Sequence, residues 1–320
     1  MSRAWLALAA SVLVAGCAVR PPHPDTFSFA VLGDMGYSAR EEPMFVDTLR
    51  RIDAAAPAFV LHIGDFKGAG DCSDELYRQR RALLDSSAAP LVYTPGDNEW
   101  TDCRRKNMGS MDPIERLGRI REIFFAGRTS LGRRTIATEA QDACVSPPVA
   151  GCGCNAHPEN RRWIHAGIEF VTLNIPGSNN NVGFDAASDA EARCRNAANH
   201  AWLEGAVAAA AQPAIRALVV VIHGNPWDAQ EKFRHVYDGF LAQMAEAPAR
   251  VGKPILFVHG DSHTYRVTPF DDARGNQVRG ITRMETYGTP MIGWVKVTVD
   301  PGSPDFFGFE PKLVGLVPAF

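Results

Sequence analysis

The chain has 320 residues, 46% hydrophobic and 22% charged, with 28 Gly and 22 Pro, an ordinary globular composition. That length supports one large domain with a sizeable core, or at most two. A formal net charge of -3 supplies no electrostatic footprint for a polyanion, so no nucleic-acid partner is expected.

The first residues read as a targeting segment. Arg3 gives a short positive region, and Leu6 to Val14 form an apolar run too short to anchor across a bilayer. Val14-Ala15-Gly16-Cys17 resembles a bacterial lipoprotein signal, which implies cleavage before Cys17 and a lipid on that residue. A plain secretory signal with an incidental cysteine is the alternative. Residues 1–16 are removed in either case, residues 17–26 with Arg20-Pro-Pro-His-Pro24 form an extended tether, and 27–320 form the domain. The expected location is the bacterial cell envelope, with the exported chain lipid-anchored to the membrane on its periplasmic or outer side.

Short apolar runs then recur, most of them stopping at a Gly-Asp or a His. Phe27–Leu32 runs into Gly33-Asp34, Ala58–Ile63 into Gly64-Asp65, and Pro90–Thr94 into Gly96-Asp97. Ala217–Ile222 ends at His223-Gly224, and Ile255–Val258 at His259-Gly260-Asp261. Runs of this length and composition fit strands buried on both faces. Met44–Ala55, Asp74–Leu84, Pro113–Phe125, Asp189–Ala211 and Ala229–Ala245 read as helices, and the alternation predicts a layered α/β domain. Residues 127–162 and 174–187 read as loop insertions near one rim. After Gly260 only strands are predicted, at Tyr265–Thr268, Gly280–Tyr287 and Ile292–Val299. Beyond Cys17 there are six cysteines, Cys72, Cys103, Cys144, Cys152, Cys154 and Cys194. An even number in an exported chain favours three disulfides over a zinc knuckle at Cys152-Gly-Cys154, which lacks a second pair.

In α/β domains ligands gather outside the strand ends, and here those ends carry Asp or His. A two-metal site needs hard oxygen and imidazole ligands converging on one point, with a carboxylate able to bridge. Asp34, Asp65, Asp97, His223, Asp261 and His263 supply that chemistry.

The blocks Leu32-Gly-Asp-Met-Gly36, Ile63-Gly-Asp65, Pro95-Gly-Asp-Asn-Glu99, Val221-Ile-His223 and His259-Gly-Asp-Ser-His263 resemble, in order and spacing, the calcineurin-like metallophosphoesterase superfamily, including its purple acid phosphatase branch. The resemblance spans about Phe27 to Val299. It implies a single-domain, four-layer α/β/β/α sandwich that hydrolyses phosphorylated small molecules by in-line attack of a metal-bound hydroxide. One implied half-site holds Asp34, Asp65 and His263; the other holds Asp65, Asp97, His223 and Asp261, with Asp65 bridging. One or two divalent ions are expected, drawn from Mn, Mg, Ca, Fe or Zn, and the carboxylate-rich second half-site favours the harder ions.

Several positions depart from the family pattern. Gly36 stands where many members have His, and Gly68 where the purple acid branch has Tyr. Asp97 and Asn98 replace the Asn and His of the third motif, and Asp261 replaces the first His of the last. Asn98 and the nearby cation Lys67 are the catalytic candidates, Asn98 because it occupies the place of the leaving-group His. Arg104 and Arg105 are substrate-binding candidates, set against an ordinary solvated face. A Cys72–Cys103 bridge would brace the loops carrying Asp65 and Asp97.

Two other functions stay open. The altered positions at Gly36 and Asn98 also fit a non-catalytic lipoprotein of this fold that binds a phosphorylated ligand or an envelope partner. Gly260-Asp-Ser262 has the look of a serine-esterase block with Ser262 as nucleophile, but its place in the chain order is wrong for such enzymes. His62 reads as a core histidine, Glu99 as a group orienting a ligand or capping a turn, and Trp100 and Trp227 as rim packing.

Overall fold

The computed structural model describes residues 23–144 and 149–318. The targeting segment and Cys17 lie outside the described residues. The first half of the domain alternates as expected: β1 (Phe27–Leu32), α1 (Glu42–Ala55), β2 (Val60–His62), α2 (Asp74–Asp85), β3 (Leu91–Tyr93) and α3 (Pro113–Phe124). The helices start where local chemistry allows. Ser73 accepts a hydrogen bond from the Leu76 N–H to open α2, and Asp112 caps α3 just ahead of Pro113. The chain continues through β4 (Glu139–Gln141), β5 (His157–His165), β6 (Ile168–Thr172), α4 (Ala186–Ala210), β7 (Ala217–Val221), α5 (Asp238–Val251) and β8 (Ile255–His259). It closes with β9 (Arg266–Asp271), β10 (Gln277–Glu285), β11 (Met291–Val299) and β12 (Phe307–Leu316).

The strands form two sheets, ordered β12-β11-β1-β2-β3 and β4-β5-β6-β7-β8-β10-β9. Because side chains alternate along a strand, each sheet has two apolar faces to cover. Phe29, Val31, Leu61 and Val92 of the first sheet meet Phe170, Val219, Val221, Leu256 and Val258 of the second in a core between the sheets. The opposite faces take helices: Ala30, Leu32, Val60 and Tyr93 pack under α1, α2 and α3, and Leu218, Val220 and Phe257 under α4 and α5. The result is the expected four-layer α/β/β/α sandwich.

Within the sheets, β1, β2 and β3 run parallel, as do β6, β7, β8 and β10. Their C-terminal ends therefore open on one rim, where the Gly-Asp and His loops emerge.

Three segments differ from the sequence reading. Residues 127–162 are not all loop, since β4 and the start of β5 lie there. The run Glu159-Asn-Arg-Arg162 looks solvated, yet Glu159, Asn160 and Arg161 are buried because each finds a partner. Arg121 donates to Glu159 at 2.6 Å and 2.8 Å, Asn160 donates to Gln141 and Asn199 at 2.7 Å each, and Arg161 donates to Thr138 at 3.2 Å. The helix expected at Ala229–Ala245 begins only at Asp238, after a 3-10 stretch over Glu231–Tyr237, and runs past Pro248 to end at Gly252 in the left-handed region. An additional edge strand, β12, follows β11.

All six described cysteines pair, as Cys72–Cys103, Cys144–Cys154 and Cys152–Cys194. The first joins the loop after β2 to the turn after β3, as expected; the second closes a short loop within the insertion, and the third ties the insertion to α4. Three bridges fit an oxidising, exported compartment.

Candidate metal centre

Asp34 follows β1, Asp65 follows β2, Asp97 follows β3, His223 follows β7, and Asp261 and His263 follow β8. The rim thus brings all six predicted ligands to one place. Four of them have left-handed backbones: Asp34 (φ 52), Asp65 (φ 52), Asp261 (φ 76) and His263 (φ 60). Non-glycine residues seldom adopt that conformation, and where they do the surrounding structure imposes it, often at a functional site. Gly64 (φ 101) permits the close approach of two loops, since a Cβ there would lie 2.4 Å from Gly96 N and 2.7 Å from His223 Nδ1.

Hydrogen bonds fix which ring nitrogen of each histidine faces the centre. His223 Nδ1 is 2.8 Å from the Ile63 carbonyl, which can only accept, so Nδ1 carries the hydrogen. Nε2 then turns toward Asp97 Oδ1 at 3.0 Å, Asp65 Oδ1 at 3.5 Å and Asp261 Oδ1 at 3.6 Å. His263 repeats the pattern. Its Nδ1 donates to the Thr289 carbonyl at 2.6 Å, and its Nε2 lies 3.5 Å from Asp34 Oδ1. A histidine tied through Nδ1 to a carbonyl while Nε2 meets carboxylates is the usual arrangement of an imidazole metal ligand. A lone pair facing three carboxylate oxygens is repulsive unless a cation or a proton sits among them.

The geometry yields two triplets whose ligand atoms all lie within 4.8 Å of one another: Asp34, Asp65 and His223, and Asp97, His223 and Asp261. His263 joins through Asp34. The donor set is hard oxygen and imidazole nitrogen, which suits divalent ions.

The metal-free charges are in conflict. Burial, then the neighbouring Asp97 charge, hold the Asp65 carboxyl well above the usual range, and burial raises Asp261. Asp97 goes the other way despite burial, held down to about 2 by its hydrogen bond to His223. Burial opposes charge on His223, yet Asp65, Asp261 and Asp97 outweigh it and raise the ring well above its ordinary value. For His263 burial is likewise outweighed by Asp34, which pushes it up to about 9.

No family model matches the chain, and no curated protein matches it. Among solved structures, the chain is similar to a dimetal phosphatase from Danio rerio, at 10% sequence identity and a TM-score of 0.47, over 91% of this chain and 97% of that one. At that score the likeness decides nothing about chemistry, which rests on the geometry of the site itself.

The remaining predicted residues have definite places. Asn98 is turned onto Asp65, donating from its backbone N–H to Oδ1 at 3.0 Å and from Nδ2 to Oδ2 at 2.6 Å. Lys67 is buried, with Nζ donating to the carbonyls of Gly68 at 2.8 Å and Asn98 at 3.1 Å. Arg104 stacks on Phe184 at 3.6 Å and donates to Thr101, Asn181 and Ser188. Arg105 pairs with Asp102 at 2.7 Å and reaches Ser178 at 3.3 Å. Glu99 is buried, accepting from the Phe66 N–H at 3.0 Å and the Tyr93 hydroxyl at 3.2 Å, and so braces the loop that carries Asp65.

His62 is a core histidine, packed among Phe45, Phe66 and Tyr93 and pushed by burial down to about 3. His259 is buried too, with Nε2 accepting from Arg283 at 2.8 Å, and stays neutral. Trp100 is fully buried, packed beside Arg195 at 5.1 Å.

Sequence reasoning missed Tyr37 and Ser178. The Tyr37 hydroxyl donates to Asp65 Oδ2 at 2.9 Å and lies 3.3 Å from His263 Nε2. Burial and the Asp65 charge keep its phenol protonated. A Cβ on Gly68 would lie 2.8 Å from both Cβ and Cγ of Tyr37, so the space beside the bare Gly68 is filled from the first loop. The only signal for Tyr37 is that juxtaposition of a ring and an empty position, which exists in the fold and not in the local sequence. Ser178 Oγ lies 2.7 Å from Asp97 Oδ2 and 2.7 Å from Asp102 Oδ1. One hydroxyl hydrogen cannot serve both oxygens. Burial and the Asp97 charge push Asp102 up to about 7, so a proton on Asp102 completes the second bond near neutrality.

Proposed function

We propose that the chain is a metal-dependent hydrolase of phosphate esters, acting on a phosphorylated small molecule at this rim. The observation that supports it most is the pair of imidazoles, His223 and His263, each tied back through Nδ1 with Nε2 turned onto carboxylates. The order of the Asp and His motifs supports the phosphate-ester class. Asp34 and His263 would hold one ion, Asp97, His223 and Asp261 a second, and Asp65 lies between them. A divalent ion bound there supplies charge neutralisation for a phosphate oxygen and acidifies a water. The protein's own part is orientation. Asn98 and Tyr37 pin Asp65, and Lys67 holds the Gly68 and Asn98 carbonyls so that the second and third loops move together.

A non-catalytic reading, in which the same centre only binds a phosphorylated ligand, is favoured by one observation. Asn98 Nδ2 is turned onto Asp65 and Lys67 Nζ onto two carbonyls, so each keeps a single hydrogen for a leaving group, and the Asn98 amide has no proton to give up near neutrality. The Ser262 hydroxyl donates to Glu285 and accepts from Asn225 at 2.8 Å; among the described residues no histidine bonds it, which argues against an esterase. The proposal extends to a membrane anchor through a lipid on Cys17, supported by the apolar run that ends there and by the three disulfides.

The test is a panel of activated phosphate monoesters and diesters, run on the mature protein after chelation and after return of Mn, Mg, Ca, Fe or Zn. Turnover that disappears with chelation and returns with an ion is expected. Ion uptake with no turnover of any ester would leave the binding protein as the correct reading.

A further inference from the structure

The loop between β6 and α4 holds an uncommon backbone. Ser178 (φ 44), Asn179 (φ 56), Asn180 (φ 53) and Asn181 (φ 66) are four consecutive non-glycine residues in the left-handed region. Asparagine tolerates that region better than most residues, but normally one at a time. A run of four persists only where its surroundings over-determine it.

Those surroundings are visible. Arg195 of α4, fully buried, donates from Nη1 to Asn180 Oδ1 at 2.6 Å and to the Asn174 carbonyl at 2.8 Å, and from Nη2 to the Asn180 carbonyl at 3.0 Å. Asn180 Nδ2 donates to Asn196 at 2.9 Å, and Asn181 donates to Glu191 at 2.8 Å while accepting from Arg104. Arg104 therefore serves this turn. At its other edge the turn meets the metal centre. Gly177 leaves no room for a side chain, since a Cβ there would lie 2.4 Å from Asp261 Oδ1. Ser178 follows at once, with its hydroxyl against Asp97 Oδ2.

We propose that Ser178 is a positioning residue for the metal centre: its hydroxyl, presented by the left-handed turn, holds Asp97 Oδ2 so that Oδ1 alone faces His223. The inference rests on the reading of this rim as a metal centre. Two oxygens of a free carboxylate compete for an ion and rotate about the side-chain bond. With Oδ2 held at 2.7 Å, Oδ1 stays 3.0 Å from His223 Nε2, and its share of the ion's coordination is fixed in advance. The loop that supplies Ser178 also presses Gly177 against Asp261, so one turn sets both carboxylates flanking His223.

The test is Mn(II) titration of the metal-free mature protein, read from the loss of the free-ion electron paramagnetic resonance signal. It is run on wild type, Ser178→Ala, Ser178→Gly, Asp97→Asn and the double variant Ser178→Ala with Asp97→Asn. Loss of a hydrogen bond to a ligand weakens ion binding by about 10–100-fold. Both Ser178 variants are expected to show a loss of that size for one ion. Gly relieves the backbone strain while Ala does not, so equal losses point to the hydroxyl. In the Asp97→Asn background, removal of the hydroxyl is expected to cost at least severalfold less. Wild-type affinity in both Ser178 variants, or full affinity in Ser178→Gly alone, overturns the proposal and leaves the metal centre standing. A wild-type protein that takes up no ion overturns both.

Discussion

Asp65→Ala is expected to abolish ion uptake at the rim and phosphate-ester turnover together. Asp65 is buried between the two groups of ligands and accepts from the Tyr37 hydroxyl, the Asn98 N–H and the Asn98 amide. Residues that merely orient a ligand contribute about 10–100-fold to metal affinity, so loss of a carboxylate that would lie between two ions should exceed about 100-fold. The substitution also leaves three donors without their acceptor, which loosens the first and third loops around the remaining ligands. Metal analysis of the purified variant and its rate on the best ester check the two effects separately. A variant that keeps both metal and activity would show that the site is assigned to the wrong residues.

A second large effect is expected in the pH dependence of metal stabilisation. In the metal-free protein His223 is held well above its ordinary value, and Asp34 pushes His263 up to about 9 in spite of burial. A raised folded-state value means that the protonated ring contributes stability that is fully present below the unfolded value, about 6.5. That stability is lost as pH rises toward 9. A metal ion at Nε2 must displace the same proton, so its binding strengthens over the interval in which the metal-free protein weakens. Each displaced proton contributes about 1.4 kcal/mol per pH unit, so two histidines together steepen the metal-dependent stabilisation by up to about 3 kcal/mol per unit between about pH 7 and 9. Thermal melts at fixed free Mn(II), with and without chelator, should show the gap in Tm widening across that range. A constant gap would mean that no histidine gives up a proton to the ion.

The sequence exposes the rim well because its signals are local. Each apolar run is short, ends in Gly-Asp or His, and is buried on both faces, so the residues alone place Asp34, Asp65, Asp97, His223 and Asp261 at strand ends. The same locality hides β5. Its Glu159-Asn-Arg-Arg162 run is buried only because Arg121, Gln141, Asn199 and Thr138 come from elsewhere to meet it. Ser178 is hidden for the same reason, as its two carboxylate partners lie 81 and 76 residues away. Tyr37 is close in sequence to Asp34, yet nothing local says that its hydroxyl will reach Asp65 beside a bare Gly68. The place of Asn98 in its loop is legible in the motif. Its engagement with Asp65 is not, because it depends on the approach of two loops that Gly64 and the Cys72–Cys103 bridge enforce.

If the rim is a metal centre, His223 Nε2 and His263 Nε2 point at divalent cations gathered by the strand-end carboxylates. Anomalous diffraction at the manganese edge, from crystals of the mature domain grown with Mn(II), tests it most directly. Density is expected within about 2.3 Å of His223 Nε2, in contact with Asp97 and Asp261. If the second position fills, density is expected at His263 Nε2 and Asp34, with Asp65 between the two. Crystals that bind Mn(II) elsewhere, or not at all, with both histidines hydrogen-bonded to carboxylates as in the metal-free protein, would contradict it.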